Sequence, residues 1–245
     1  MDLSAASMAL TETMLLCYAT LREKEKKMKR GIWASIFVSL LAMAPAALGQ
    51  EAEGLKFQGI DPSQVAMLAQ QGSLLVIKYK DDGTLKEVVA GAVVDAPVDK
   101  VWELLTDFES YPKFMPQTTG MKTIKKISDT QVQTEQTIKV EIWVLKVAIT
   151  YQHLQTLDPK KSIRFHYLSG DLPGTYGRYD LVELPGKNQT LLFYSLYSNL
   201  VALPWPIGPI MKSQPDFLTS VNVSTTSMVV KAVRVEAEKQ NGVRP

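Results

Sequence analysis

Two histidines, His153 and His166, and one cysteine, Cys17, carry the most reactive side chains of the sequence. A histidine pair on neighbouring strands suits acid–base work or metal binding. Two ligands alone do not complete a zinc site, so no metal is expected. His166 alternates with Phe165 and Tyr167 and is expected to point to solvent. Cys17 lies in a leader, which leaves no thiol nucleophile in the mature chain. No Gly-x-Ser-x-Gly elbow and no glycine-rich phosphate loop occurs. No catalytic residue is assigned and no cofactor is expected. Arg164 and Arg178 are the cations of interest. A buried Arg needs a carboxylate or a ligand head group. Asp171, Asp180 and Glu183 supply ordinary partners nearby, while Arg178 at a pocket mouth would bind a phosphate or carboxylate.

The aromatic residues form the larger set. By alternation, Trp143 and Tyr151 share one strand face, as do Phe165 with Tyr167 and Phe193 with Tyr197, and Tyr179 sits two residues after Gly177. Turned inward, these rings would line a pocket with apolar faces and orienting hydroxyls. Ordinary core packing is the competing reading for any one of them. A stripe on the C-terminal helix adds Phe217, Val221 and Met228 to the expected ligand-binding positions.

The elements that must hold these residues are legible from periodicity. Asp61-Pro62-Ser63 resembles a helix start. Strand candidates Leu74–Lys80 and Leu85–Val94 flank the turn Asp81-Asp82-Gly83-Thr84. Pro97 then opens a helix with Val98, Val101, Trp102, Leu104 and Leu105 at helical spacing, and Pro112 and Pro116 interrupt the stretch that follows. From Met121 the period is two. Strands are expected over Met121–Ile127, Gln131–Ile142, Trp143–Leu157, Ser162–Ser169, Thr175–Leu184 and Thr190–Asn199. Their short links imply an antiparallel meander. The Trp143–Tyr151 alternation predicts a sheet with one apolar face. After the Pro-rich link Pro204–Pro209, Pro215 to Lys239 reads as one long helix. A single helix, about 10 Å wide, cannot fill a curved sheet of six or seven strands, so a cavity is expected between them. The Pro204–Pro209 link with Trp205 is a rigid linker, a lid over the cavity, or, with the rest of the 204–211 loop, a transient membrane contact.

The first fifty residues read as an address. Residues 22–30 are basic and an uncharged run, Gly31 to Gly49, follows with Ala47-Leu48-Gly49 at its exit. This is the pattern of a secretory signal peptide over 28–49, with 1–27 an upstream extension. An uncleaved membrane anchor is the alternative. The whole chain holds 27 Lys and Arg against 25 Asp and Glu, yet residues 50–245 hold 21 of each. A neutral mature chain argues against phosphate neutralisation, so no nucleic-acid partner is expected.

The stretch from Ala90 to Pro116 carries a family resemblance. Ala96-Pro97, Val101-Trp102, Asp107 and Tyr111-Pro112-Lys113-Phe114-Met115-Pro116 resemble the opening of the START/polyketide-cyclase (SRPBCC) superfamily. Gly170-Asp171-Leu172 and Gly177-Arg178-Tyr179-Asp180-Leu181 resemble its coenzyme Q-binding and ribosome-association branch, and the likeness extends from Leu85 to Lys239. A signal peptide departs from that branch and makes a ribosomal target improbable. The resemblance implies an α+β helix-grip fold, with a curved antiparallel sheet wrapped around the C-terminal helix and two short helices after the first core strand. The segment 50–84 would be a lead-in with the first hairpin strand, and 85–241 the ligand-binding domain. The expected role is secreted, periplasmic binding or transport of a lipid, quinone or sterol-like molecule. A cyclase or hydrolase in the same cavity, or an interaction module with a filled cavity, are the alternatives.

Overall fold

The computed structural model describes residues 51–55, 61–70, 72–142 and 145–243. The leader, Cys17 and Trp143 lie outside the described residues. The first helix, α1 (Pro62–Gln70), starts where Asp61 accepts hydrogen bonds from the Ser63 amide (2.9 Å) and hydroxyl (2.6 Å). These bonds satisfy groups that a helix start leaves unpaired. Strands β1 (Leu74–Tyr79) and β2 (Leu85–Val94) form the expected hairpin, with Gly83 at φ 80° in its turn. Helix α2 (Val98–Thr106) follows Pro97, and a 3₁₀ turn spans Phe108–Lys113.

Six strands follow: β3 (Thr118–Lys126), β4 (Gln131–Ile142), β5 (Leu145–Asp158), β6 (Ser162–Gly170), β7 (Tyr176–Leu184) and β8 (Gln189–Tyr197). All eight strands join one antiparallel sheet in the order β1-β2-β8-β7-β6-β5-β4-β3. The meander therefore returns to pair β8 with β2, so the first hairpin is continuous with the rest. Between β8 and the last helix the chain forms a 3₁₀ turn at Leu200–Ala202 and a short helix, α3 (Ile207–Ser213), whose start overlaps the Pro-rich link. Helix α4 (Pro215–Gln240) then crosses the sheet over β2 and β8.

The buried stripe of α4 is Leu218, Asn222, Thr226, Val229, Val230, Val233 and Ala237. Its Val229, Val230, Val233 and Ala237 pack in one cluster with Ala90, Ala92, Val94, Leu192 and Leu196 from β2 and β8, and Leu218 packs in the cluster around Ile149 and Leu203. The opposite face is also covered at this end of the sheet. Ala66 and Ala69 of α1 pack on Val89, Val93, Leu184, Leu191 and Phe193. Strands β2 and β8 are thus buried on both faces, which explains their near-continuous apolar runs. The expectation of a one-sided sheet holds for β5 and fails here.

Candidate functional site

Strand β5 aims Tyr151, His153 and Gln155 at the α4 side of the sheet, because alternate residues share a face. The His153 ring lies between Tyr151 (centroids 4.6 Å apart) and Phe165 of β6 (4.9 Å). Phe165 in turn spans β7 to reach Tyr194 of β8 at 6.2 Å. Only glycine permits that crossing, since a Cβ on Gly177 would overlap the Phe165 ring. Tyr194 stacks on Tyr179 at 4.4 Å. One aromatic row therefore runs across four strands.

These rings wall a small polar chamber of about 80 Å³. The Tyr151 hydroxyl donates to Gln136 Oε1 (3.2 Å), and Gln136 Nε2 donates to Thr118 Oγ1 (3.1 Å). Gln155 Nε2 donates to Thr134 Oγ1 (3.1 Å), and the Tyr111 hydroxyl to the Leu105 carbonyl (2.7 Å). His153 Nε2 is buried with no partner. Burial pushes the His153 imidazole down to about 3, with His166 adding a smaller repulsion. Burial likewise pushes the hydroxyls of Tyr111, Tyr151, Tyr179 and Tyr194 above the ordinary tyrosine value. Every titratable group of the chamber is thus uncharged near neutral pH. The chamber therefore presents uncharged hydrogen-bonding groups.

The chamber adjoins a wider groove of about 380 Å³ that shares Gln117, Ile138, Ser198 and Thr225 with it. Val140, Leu200, Leu203 and Ile207 line one side of the groove, and Phe217, Val221 and Met228 of α4 the other. Among the described residues, no Lys, Arg, Asp or Glu lines either cavity. Phe217 and Met228 are each about two-fifths exposed (41% and 40%), and Trp205, just before α3, is 84% exposed.

Of the residues expected to bind ligand, Tyr151, Phe165 and Tyr179 line the chamber and Phe217, Val221 and Met228 line the groove. Tyr167 packs near the buried cluster around Ile149 and Leu203, and its hydroxyl donates to the Gly170 carbonyl (2.9 Å). Three positions fall on the other face. Arg178 pairs with Asp180 (2.6 Å) and lines neither the chamber nor the groove. Burial holds the Asp180 carboxyl above the ordinary aspartate value despite that cation. Phe193 packs under α1, its ring lying where a Gly91 side chain would be. Tyr197 packs in a tilted pair with Tyr176, ring centroids 5.3 Å apart, near Lys80. The inward residues of β8 are Leu192, Tyr194 and Leu196, one position out of phase with the expectation. Tyr194, Gln136 and Gln155 carry no signal that singles them out in the sequence, Tyr111 stands out only within the family-like motif, and His153 only as an acid–base or metal-binding candidate. In β8 the run Leu191-Leu192-Phe193-Tyr194 is apolar at both parities, so alternation could not choose a face.

The family model described as polyketide cyclase/dehydrase and lipid transport matches residues 94–214. Among solved structures, a Thermus thermophilus protein is 18% identical, with a TM-score of 0.50 over 63% of this chain and 98% of that one. An aromatase/cyclase from Streptomyces sp. R1128 is 20% identical, covering 63% of this chain and 94% of its own, with a TM-score of 0.48. A STAR-related lipid transfer protein fragment from Xanthomonas axonopodis is 15% identical, covering 67% and 98%, with a TM-score of 0.46. The likeness to the first of these bears on the fold alone. No curated protein matches the chain.

Proposed function

We propose that this chain, which matches the polyketide cyclase/dehydrase and lipid-transport family model over residues 94–214, is a carrier that binds a hydrophobic small molecule between the sheet and α4. One observation carries this reading: a groove of about 380 Å³ whose described lining holds no charged residue, adjoining a chamber of neutral polar groups. That volume falls in the range of small-molecule sites, and the lining suits an apolar body with a polar end. Burying apolar ligand surface would supply about 25 cal/mol per Å² gross, before ordering costs. An enzyme in the same cavity would need a group that moves protons near neutral pH. Burial shifts His153 and the four chamber tyrosines away from that range. In our reading, exposed Trp205 and Ile210, beside the groove mouth, touch a membrane surface during loading. The signal peptide at 28–49 would place this exchange in the periplasm.

Protein purified from its own host should carry an apolar molecule, detected by native mass spectrometry with lipid extraction. It should also move a fluorescent lipid between vesicles, more slowly after Trp205→Ala. Repeated recovery of empty protein, with no thermal shift from any lipid, would sink the carrier reading. Normal transfer by the Trp205→Ala protein would remove the membrane contact alone.

A further inference from the structure

Resting on the carrier reading, we propose that the bound molecule presents one uncharged hydroxyl or carbonyl head to His153 Nε2, while its apolar body lies in the groove.

Three observations converge on this selectivity. His153 is only 3% exposed, and Nε2 has no hydrogen-bond partner. Among the described residues, Gln189 Oε1 and Ser195 Oγ are also buried without a partner, and neither residue lines the chamber or the groove. The neighbouring chamber groups of Tyr151, Gln136, Thr118, Gln155 and Thr134 already bond to one another. Leaving a buried polar atom unpaired is costly, so Nε2 is the point where a ligand gains most by supplying a partner. A hydroxyl suits either imidazole tautomer because it both donates and accepts, and a carbonyl suits the Nε2–H form.

The second observation is charge. With no Lys or Arg in the described lining, a carboxylate or phosphate would lose its water without gaining a counter-charge. Arg178, the cation expected to meet such a head, faces the other side of the sheet and is held by Asp180. The third is size. The chamber, at about 80 Å³, is much smaller than the adjoining groove of about 380 Å³, so it suits the small head of the ligand and the groove suits the apolar body.

The test compares three probes of equal chain length, 1-dodecanol, dodecanoate and n-dodecane. Each displaces an environment-sensitive dye from the delipidated full chain at pH 7.5. Dodecanol should bind about tenfold more tightly than dodecanoate. His153→Leu should narrow the dodecanol-to-dodecane ratio by about three- to tenfold, the worth of one hydrogen bond. Equal binding of dodecanol and dodecanoate would overturn the proposal and leave the carrier reading standing. So would an unchanged ratio in a His153→Leu protein with native circular dichroism. Should that variant not fold, the alcohol-to-acid ratio of the natural chain still decides. Failure of all three probes to displace the dye would defeat the carrier reading and this proposal together.

Discussion

His153 shows how one buried side chain links site to stability. Its imidazole has an ordinary value of 6.5 when unfolded and about 3 when folded, because burial disfavours the cation. The unfolded chain therefore takes up the proton first as the pH drops, and stability declines from the unfolded value downward. At pH 5 this one group should cost about 2 kcal/mol relative to pH 8. Urea unfolding across that range, with His153→Leu as reference, checks the sign. The variant should lose less stability on acidification, and equal losses would mean that the ring is charged or solvated in the folded state. Alternation along β5 put Tyr151 on the inner face from sequence alone, and His153 shares that parity. Whether its Nε2 had a partner was not legible, because that depends on residues from β4, β6 and β8 brought together by pairing.

Helix α4 is the element that grips the sheet, and its contact stripe is not its most apolar one. Phe217, Val221, Thr225, Met228, Ala232 and Val235 recur at helical spacing as one apolar stripe, and the first four line the groove. The residues buried against the sheet in this half of the helix are Leu218, Asn222 and Thr226, one position further on. Asn222 explains the shift. Its Oδ1 accepts the Ser198 amide (2.7 Å), and its Nδ2 donates to the carbonyls of Ser198 (3.3 Å) and Leu218 (3.0 Å). It therefore ties the helix to the chain just beyond β8. Asn222→Ala would orphan a buried amide and a carbonyl and should destabilise by about 1–3 kcal/mol in denaturant unfolding. Phe217→Ala, at the partly exposed mouth, should stay within about 0.5 kcal/mol. Equal effects of the two would refute the assignment of Asn222 as the tie. Apolar spacing locates a helix well, but a polar residue with complete partners can take the core position, and periodicity does not register it.

At the scale of the whole molecule, the charge balance bears on where the protein works. Residues 1–49 carry the net charge of +2, and residues 50–245 are neutral. Fractionation of the source cells should return a periplasmic form starting at Gln50, read by N-terminal sequencing. A 27.2 kDa cytoplasmic form would overturn the secreted assignment. The strand meander, the hairpin at Gly83, the helix after Pro97 and the long C-terminal helix were all determined by the sequence itself. Turn chemistry, proline geometry and residue period act within a few positions and need no distant partner. Tertiary structure alone decided which face of β8 looks inward, because both parities are apolar and α1 covers one of them. It also decided the fate of Arg178 and the shape of the cavity. The ring of Phe165 lying over Gly177 and the uncharged lining arise only when several strands pair in register.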